Sequence, residues 1–256
     1  MEAKSMKKLI IIGACVVFAV ILVIFGTKVL APTPETPLLN STAPDHFTVN
    51  TFENFGYILT TPQNATENMP LIVYLHGSNS RGSDPNYLLQ QAGFPRSLIL
   101  GELENIPAYV LIPQLSADIT GWERVKSELM RLIDKVAADC KADTSKICLT
   151  GYSMGGTGAW KLAATYPDKF SCLVPISGSI ANIESNRQAL KDMPIWAFVS
   201  NADTTVLPSY TTEFVTDLQP LNENCTATVL DGAAHEATWQ IYQYSERSIF
   251  QWMLEQ

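Results

Sequence analysis

Histidine is scarce in this chain, three residues among 256, and the five cysteines include no CxxC pair. Zinc sites need closely spaced thiolate and imidazole ligands, so no metal pattern is present and no other cofactor is implied. Positive charge is also short, with 17 Lys and Arg against 25 Asp and Glu and a formal net charge of −8. Binding to nucleic acid requires clustered cations that replace phosphate counterions, and nothing in the chain supplies them. No internal repeat and no low-complexity insert interrupts the sequence after residue 46.

Long apolar runs are absent too, with one exception. Residues 1–8, "MEAKSMKK", form a basic stub carrying Lys4, Lys7 and Lys8, and "LIIIGACVVFAVILVIFG" follows without a charge from Leu9 to Gly26. A run of about 18 apolar residues lies at the short end of what spans a bilayer and at the long end of a signal peptide. The expectation is one N-terminal hydrophobic helix over 9–26 that anchors the chain in a membrane, with a cleaved signal segment as the alternative. Three lysines before the run and Lys28 just after it place the N-terminus in the cytoplasm and the remainder outside. Cys15 then reads as a lipid-facing thiol. Residues 27–45, which include "APTPETPLLNSTAPD", read as a Pro-rich tether.

Residues 46–256 read as one catalytic-sized α/β domain. "FTVNTFENFGYILTTP" has hairpin patterning, and "LIVYLH", "AYVLIPQ", "KICLTG", "FSCLVPISG", "PIWAFVSN" and "CTATVLDG" are short apolar runs of strand type. Helical patterns lie between and after them, ending in a closing helix through Trp252. The clearest is "GWERVKSELMRLIDKVAADCKAD", where Trp122, Val125, Leu129, Leu132, Ile133 and Val136 recur at helical spacing. Strands alternating with helices imply a mostly parallel sheet flanked by helices on both faces. Of the cysteines outside the N-terminal run, Cys148, Cys172 and Cys225 fall in apolar strands, where free thiols pack as small hydrophobes. Cys140 completes the set, and disulfide pairing among the four is left open.

The stretch "CLTGYSMGGTGAW" carries a G-x-S-x-G pattern after a strand and at the start of a helix. Glycines at 151 and 155 permit a sharp turn that lifts the Ser153 hydroxyl above the sheet edge, over a helix N-terminus that favours negative charge. Serine needs a base, and His235, just past the last strand, is the histidine that follows it in sequence; His46 and His76 precede it. Asp203 ends the strand "PIWAFVSN" in the position expected for an acid that orients the base. Asp231, in "LDG", is a rival better suited to a strand-ending turn. Oxyanion donors are expected at the backbone N–H groups of Met154 and Ser78, the latter in the loop after "LIVYLH". His76 reads as a structural loop residue, and Trp122 and Trp239 as candidate walls of a substrate cleft or, equally, as core residues.

These motifs resemble the α/β-hydrolase superfamily, in its esterase branch near dienelactone hydrolases, feruloyl esterases and polyhydroxybutyrate depolymerases. "VYLHGSNSRGSD", "LIPQ", "DTSKICLTGYSMGGTGAWKLAATYPDKFSCLVPISG", "PIWAFVSNADTTV" and "GAAHEATWQIYQ" carry the resemblance over roughly residues 70–256. It implies an α/β-hydrolase fold with Ser153 as nucleophile, His235 as base and Asp203 as orienting acid, acting on a small-molecule or polysaccharide-linked ester. The stretch from Pro175 to Pro194 is too short for a large lid domain, which implies an open site. A serine peptidase on the same scaffold, and a silent hydrolase-like binding module, are the alternatives.

Overall fold

The structure, a computed structural model, describes residues 24–25, 46–103, 106–244 and 248–256. The basic stub 1–8, the apolar run 9–26 apart from Ile24 and Phe25, and the tether 27–45 lie outside the described residues. Among the described residues no helix is long and apolar enough to cross a membrane. Ile24–Phe25 departs from the helical expectation: it is a two-residue strand, β1, paired parallel with Val229 and Leu230. The open edge of the last strand offers unpaired N–H and C=O groups that an extended apolar dipeptide satisfies.

The remaining strands are β2 (Phe47–Phe52), β3 (Phe55–Thr60), β4 (Leu71–Leu75), β5 (Tyr109–Gln114), β6 (Ile147–Tyr152), β7 (Cys172–Ile176), β8 (Ile195–Ser200) and β9 (Cys225–Leu230). The sheet order is β1-β9-β8-β7-β6-β4-β5-β3-β2. Strands β9 through β5 run parallel, and the β2–β3 hairpin closes the far edge antiparallel. The α-helices among the described residues are α1 (Phe94–Ile99), α2 (Lys126–Asp139), α3 (Met154–Thr165), α4 (Glu184–Ala189), α5 (Ser209–Leu218), α6 (Ile241–Tyr244) and α7 (Ile249–Leu254). The link from β7 to β8 holds only the six-residue α4, so no lid domain is inserted there.

Strand alternation divides the core into two layers. Leu71, Val73 and Leu75 of β4 point to one face, where Leu129, Leu132, Ile133 and Val136 of α2 and Trp160 and Leu162 of α3 cover them. Ile72 and Tyr74 point to the other face, against Phe94, Tyr242, Phe250 and Met253. Because both faces are covered, every residue of β4 and β5 is buried, which is why these strands read as continuous apolar runs. Cys148 and Cys172 are register partners on β6 and β7. They, Cys140 and Cys225 are free thiols, and burial raises the Cys225 thiol to about 12.

Two helices differ from the sequence expectation. Trp122 and Val125 lie on a separate 3-10 turn, Trp122–Val125, that precedes α2. The closing helix is divided into a 3-10 turn, His235–Gln240, then α6, then α7. Helices α1 and α4 were not anticipated, since six residues complete fewer than two turns and show no periodicity.

His76 ties the ends of β4 and β5 together. Its Nδ1–H donates to Gly77 O at 2.7 Å and its Nε2 accepts from the Leu115 N–H at 3.0 Å, which fixes a neutral tautomer. Trp122 Nε1 donates to the His76 carbonyl at 3.1 Å, and the two rings pack edge to face. Burial lowers the imidazole to about 4, with Arg81 adding to the effect and the Gly77 bond opposing it. Between pH 6.5 and about 4 the unfolded chain therefore binds a proton at this position and the folded chain does not. Stability falls as pH drops through that interval, by up to about 3 kcal/mol from this group. Urea unfolding at a series of pH values should show this loss, and a His76→Gln variant should show a shallower slope over the same interval.

Candidate active site

The centre of the site is the junction between β6 and α3. Ser153 stands between them with φ 58° and ψ −119°, a left-handed conformation that L residues seldom adopt. The turn is forced by close approach: a Cβ on Gly155 would sit 1.9 Å from Leu75 O, and one on Gly151 would sit 2.5 Å from Gly155 O. The first turn of α3 therefore rests directly on the ends of β4 and β6. The Ser153 N–H is secured to Ile176 O at 2.9 Å, and its side chain is left facing the cleft.

The structure brings Ser153, His235 and Asp203 together. Ser153 Oγ lies 2.8 Å from His235 Nε2, and His235 Nδ1 lies 2.7 Å from Asp203 Oδ2. Asp203 follows β8 and its carboxylate is buried. Burial works against its ionisation, but hydrogen bonds from His235 and from the Val206 and Thr205 N–H groups outweigh that and hold the carboxyl below its usual range. The two backbone donors meet Oδ1 at 2.9 Å each, leaving Oδ2 for the imidazole. Asp231 points elsewhere, accepting from Asn201 Nδ2 at 2.8 Å.

Met154 is the first residue of α3 and Ser78 the first of a 3-10 turn, Ser78–Ser80, so neither N–H has a partner within its own helix. The loop bearing Ser78 runs beside the serine, with Gly77 close enough that an added Cβ would lie 3.4 Å from Ser153 Cβ. Arg81 braces this loop. Its Nε donates to Ser78 O at 3.0 Å and its Nη1 to Ala117 O and Ile119 O at 3.2 Å, joining the loops that follow β4 and β5.

These groups open onto a cleft of about 520 Å³. Trp239 lines it, with Tyr74, Leu88 and Pro95 as further apolar wall and Asn79, Ser80, Gln91 and Thr205 as polar wall. Trp122 does not line it, which corrects the sequence expectation. The indole is wholly buried, held by the His76 carbonyl and packed among α2 and α3. Two wall residues had no sequence signal. Tyr152 is the variable position inside the G-x-S-x-G pattern, yet its ring packs 5.3 Å from that of His235 and its hydroxyl donates to His235 O at 2.8 Å. Glu236 is an exposed neighbour of His235 whose carboxylate, behind the larger effect of burial, raises the Tyr152 phenol.

The family model of the Dienelactone hydrolase family matches residues 113–243. A bifunctional acetylxylan esterase/xylanase of Neocallimastix patriciarum is 25% identical over 139 residues, covering 53% of this chain and 19% of that protein. A poly(3-hydroxyalkanoate) depolymerase C of Paucimonas lemoignei is 28% identical over 131 residues, covering 46% of this chain and 30% of that protein. The chain thus spans less than a third of the length of either relative. Among solved structures, a thermostable esterase superposes with a TM-score of 0.70 at 24% identity, covering 83% of this chain and 63% of that one. This likeness establishes the α/β-hydrolase fold.

Substitution at the glycine contact tests the packing. Gly155→Ala should destabilise the fold by about 3 kcal/mol or more, because the added methyl meets backbone on a central strand and has no room to relax. Ser153→Ala should leave the melting temperature within a few degrees of the parent in the same thermal unfolding measurement.

Proposed function

The chain belongs to the dienelactone hydrolase family, and we propose that it is a serine hydrolase that cleaves carboxylic esters through an acyl-enzyme. The observation that carries this reading is the unbroken relay from Ser153 Oγ through His235 to Asp203, set on a strained strand-to-helix turn. In this reading His235 Nε2 takes the Ser153 proton as Oγ forms a bond to the ester carbonyl carbon. The carbonyl π electrons move to oxygen, and the Met154 and Ser78 N–H groups hold that oxyanion. Collapse of the tetrahedral intermediate breaks the bond to the leaving oxygen, which receives the proton from His235. Water then repeats the sequence on the acyl-enzyme, with His235 again as base, and releases the acid. Asp203 keeps the imidazole in the required tautomer throughout.

The substrate class follows from the cleft. Among the described residues its lining contains no Lys or Arg and one carboxylate, that of Glu236. An ester whose acyl and alcohol parts are uncharged suits such a wall, and an anionic group does not. Acetylxylan esterase activity in the named relative fits a small acyl group on a polysaccharide, which Trp239 and the amide side chains of Asn79 and Gln91 could contact. The residues after 46 would act outside the cytoplasm, tethered by 27–45 to a membrane segment at 9–26 or released by its cleavage.

Hydrolysis of a p-nitrophenyl ester series from acetate to palmitate, with a feruloyl ester added, tests the activity. Ser153→Ala should lower kcat by roughly 10³-fold or more. Failure of every ester with retained labelling by a fluorophosphonate would favour a peptidase, and failure of both would favour a silent binding module. A charge test follows: Glu236→Gln should raise kcat/KM for mono-p-nitrophenyl glutarate by about three- to tenfold while leaving p-nitrophenyl butyrate nearly unchanged. The gain should shrink in about 1 M salt, where the screening length is a few ångströms.

A further inference from the structure

His235 is held by its carboxylate partner on one side of the ring and by a separate buried network at its backbone. The His235 carbonyl accepts from Thr238 Oγ1 at 2.9 Å and from the Tyr152 hydroxyl at 2.8 Å. Thr238 Oγ1 in turn accepts from Ser177 Oγ at 2.9 Å. Thr238 and Ser177 have no exposed surface. A polar hydroxyl in such a place is retained at a desolvation cost that hydrogen bonding must offset, and each hydroxyl here has its donor or acceptor matched.

The donors come from fixed elements. Tyr152 ends β6, and Ser177 directly follows β7, where its own N–H donates to Phe198 O at 2.8 Å. Ser177 adopts φ 43°, a conformation unfavourable for a serine. That backbone turn delivers its hydroxyl to Thr238. Thr238 lies three residues after His235 on a 3-10 turn, where residues three apart eclipse, so its hydroxyl reaches the carbonyl of the same turn.

We propose that Ser177, Thr238 and Tyr152 are positioning residues that fix the His235 backbone and thereby hold the imidazole in line between Ser153 and Asp203. The inference rests on the reading of Ser153 and His235 as the reacting pair. The bonds at the two ring nitrogens fix where the imidazole points only as long as the main chain that carries it stays in place. Two donors converging on the His235 carbonyl hold that peptide plane, so the Cα from which the ring projects cannot shift. A displacement of about 1 Å between base and nucleophile is enough to cost on the order of 10²-fold in rate.

The decisive experiment compares Thr238→Val, Thr238→Ser, Tyr152→Phe and the Thr238→Val/Tyr152→Phe pair in the full chain, with kcat, KM, fluorophosphonate labelling rate and melting temperature for each. Thr238→Val keeps the side-chain shape and removes the hydroxyl. It should lower kcat and the labelling rate by about tenfold, with KM within about twofold, and Thr238→Ser should restore both. The double variant should lose less than the product of the single losses, since both donors act on one carbonyl. If Thr238→Val is poorly folded, Tyr152→Phe and Ser177→Ala carry the same expectation. Unchanged kcat and labelling in a folded Thr238→Val would overturn the proposal, as would a loss that Thr238→Ser fails to reverse. A wild-type chain without Ser153-dependent turnover or labelling would instead remove the reacting pair on which the proposal stands.

Discussion

The contact that organises this molecule is the approach of the first turn of α3 to the end of β4, where Gly155 leaves no space between its own backbone and Leu75 O. No residue with a side chain fits there, and the turn joining β6 to α3 is consequently tight enough to drive Ser153 to positive φ. Everything at the site is measured from that point. The serine stands above the sheet edge, Met154 begins α3 with no partner for its N–H inside the helix, and the loop after β4 runs alongside. Under the proposed reading, nucleophile and oxyanion donors are consequences of a single packing contact.

His235, the base in that reading, is placed by a different principle. His235 lies beyond β9, on a segment with no direct claim on the sheet, and it is brought to the serine by bonds to the ends of three consecutive strands. Tyr152 reaches it from β6, Ser177 through Thr238 from β7, and Asp203 from β8. Under the proposed reading such distributed attachment suits a residue that exchanges a proton with two partners in turn, because the main chain is held by groups other than Ser153 and the ring nitrogens are left to Ser153 and Asp203. The neutral, buried His76 shows the contrasting use of the same side chain. Both of its nitrogens are committed to backbone groups, so it braces β4 against β5 and has no ring nitrogen left for a ligand.

Much of this was legible in the sequence because it depends on local chemistry. The glycine spacing around Ser153, the apolar runs of strands covered on both faces, and the placement of Asp203 at a strand end are each written within a few residues. The order Ser153, Asp203, His235 along the chain carried the rest. What was hidden depends on contacts distant in sequence. Tyr152 and Thr238 meet over a separation that no spacing rule covers, and Ser177 is a small residue after a strand, like many others. Trp122 was undecided for the same reason: it read equally as cleft wall or core, and the carbonyl of His76 and the cover of α2 and α3 draw it inward. The N-terminal run lies outside the described residues except for Ile24 and Phe25, which form a strand, so the anchor remains a proposal built on the sequence.

The two serines at positive φ, Ser153 and Ser177, follow neighbouring strands, and the backbone explains how both persist. Each strand end donates to the next strand across the sheet: the Ser153 N–H to Ile176 O, the Ser177 N–H to Phe198 O, and the Asn201 N–H to Leu230 O. An unfavourable conformation costs on the order of 1–3 kcal/mol and survives only where its surroundings over-determine it. Here the ladder simply continues one residue past the regular strands, so each turning residue is already bonded before its side chain is placed. The strain is therefore carried by the sheet as a whole, and the side chains it aims, Ser153 into the cleft and Ser177 toward Thr238, arrive on a common frame. That shared frame keeps Ser153, His235 and Asp203 in register at a cleft with only the six-residue α4 between β7 and β8.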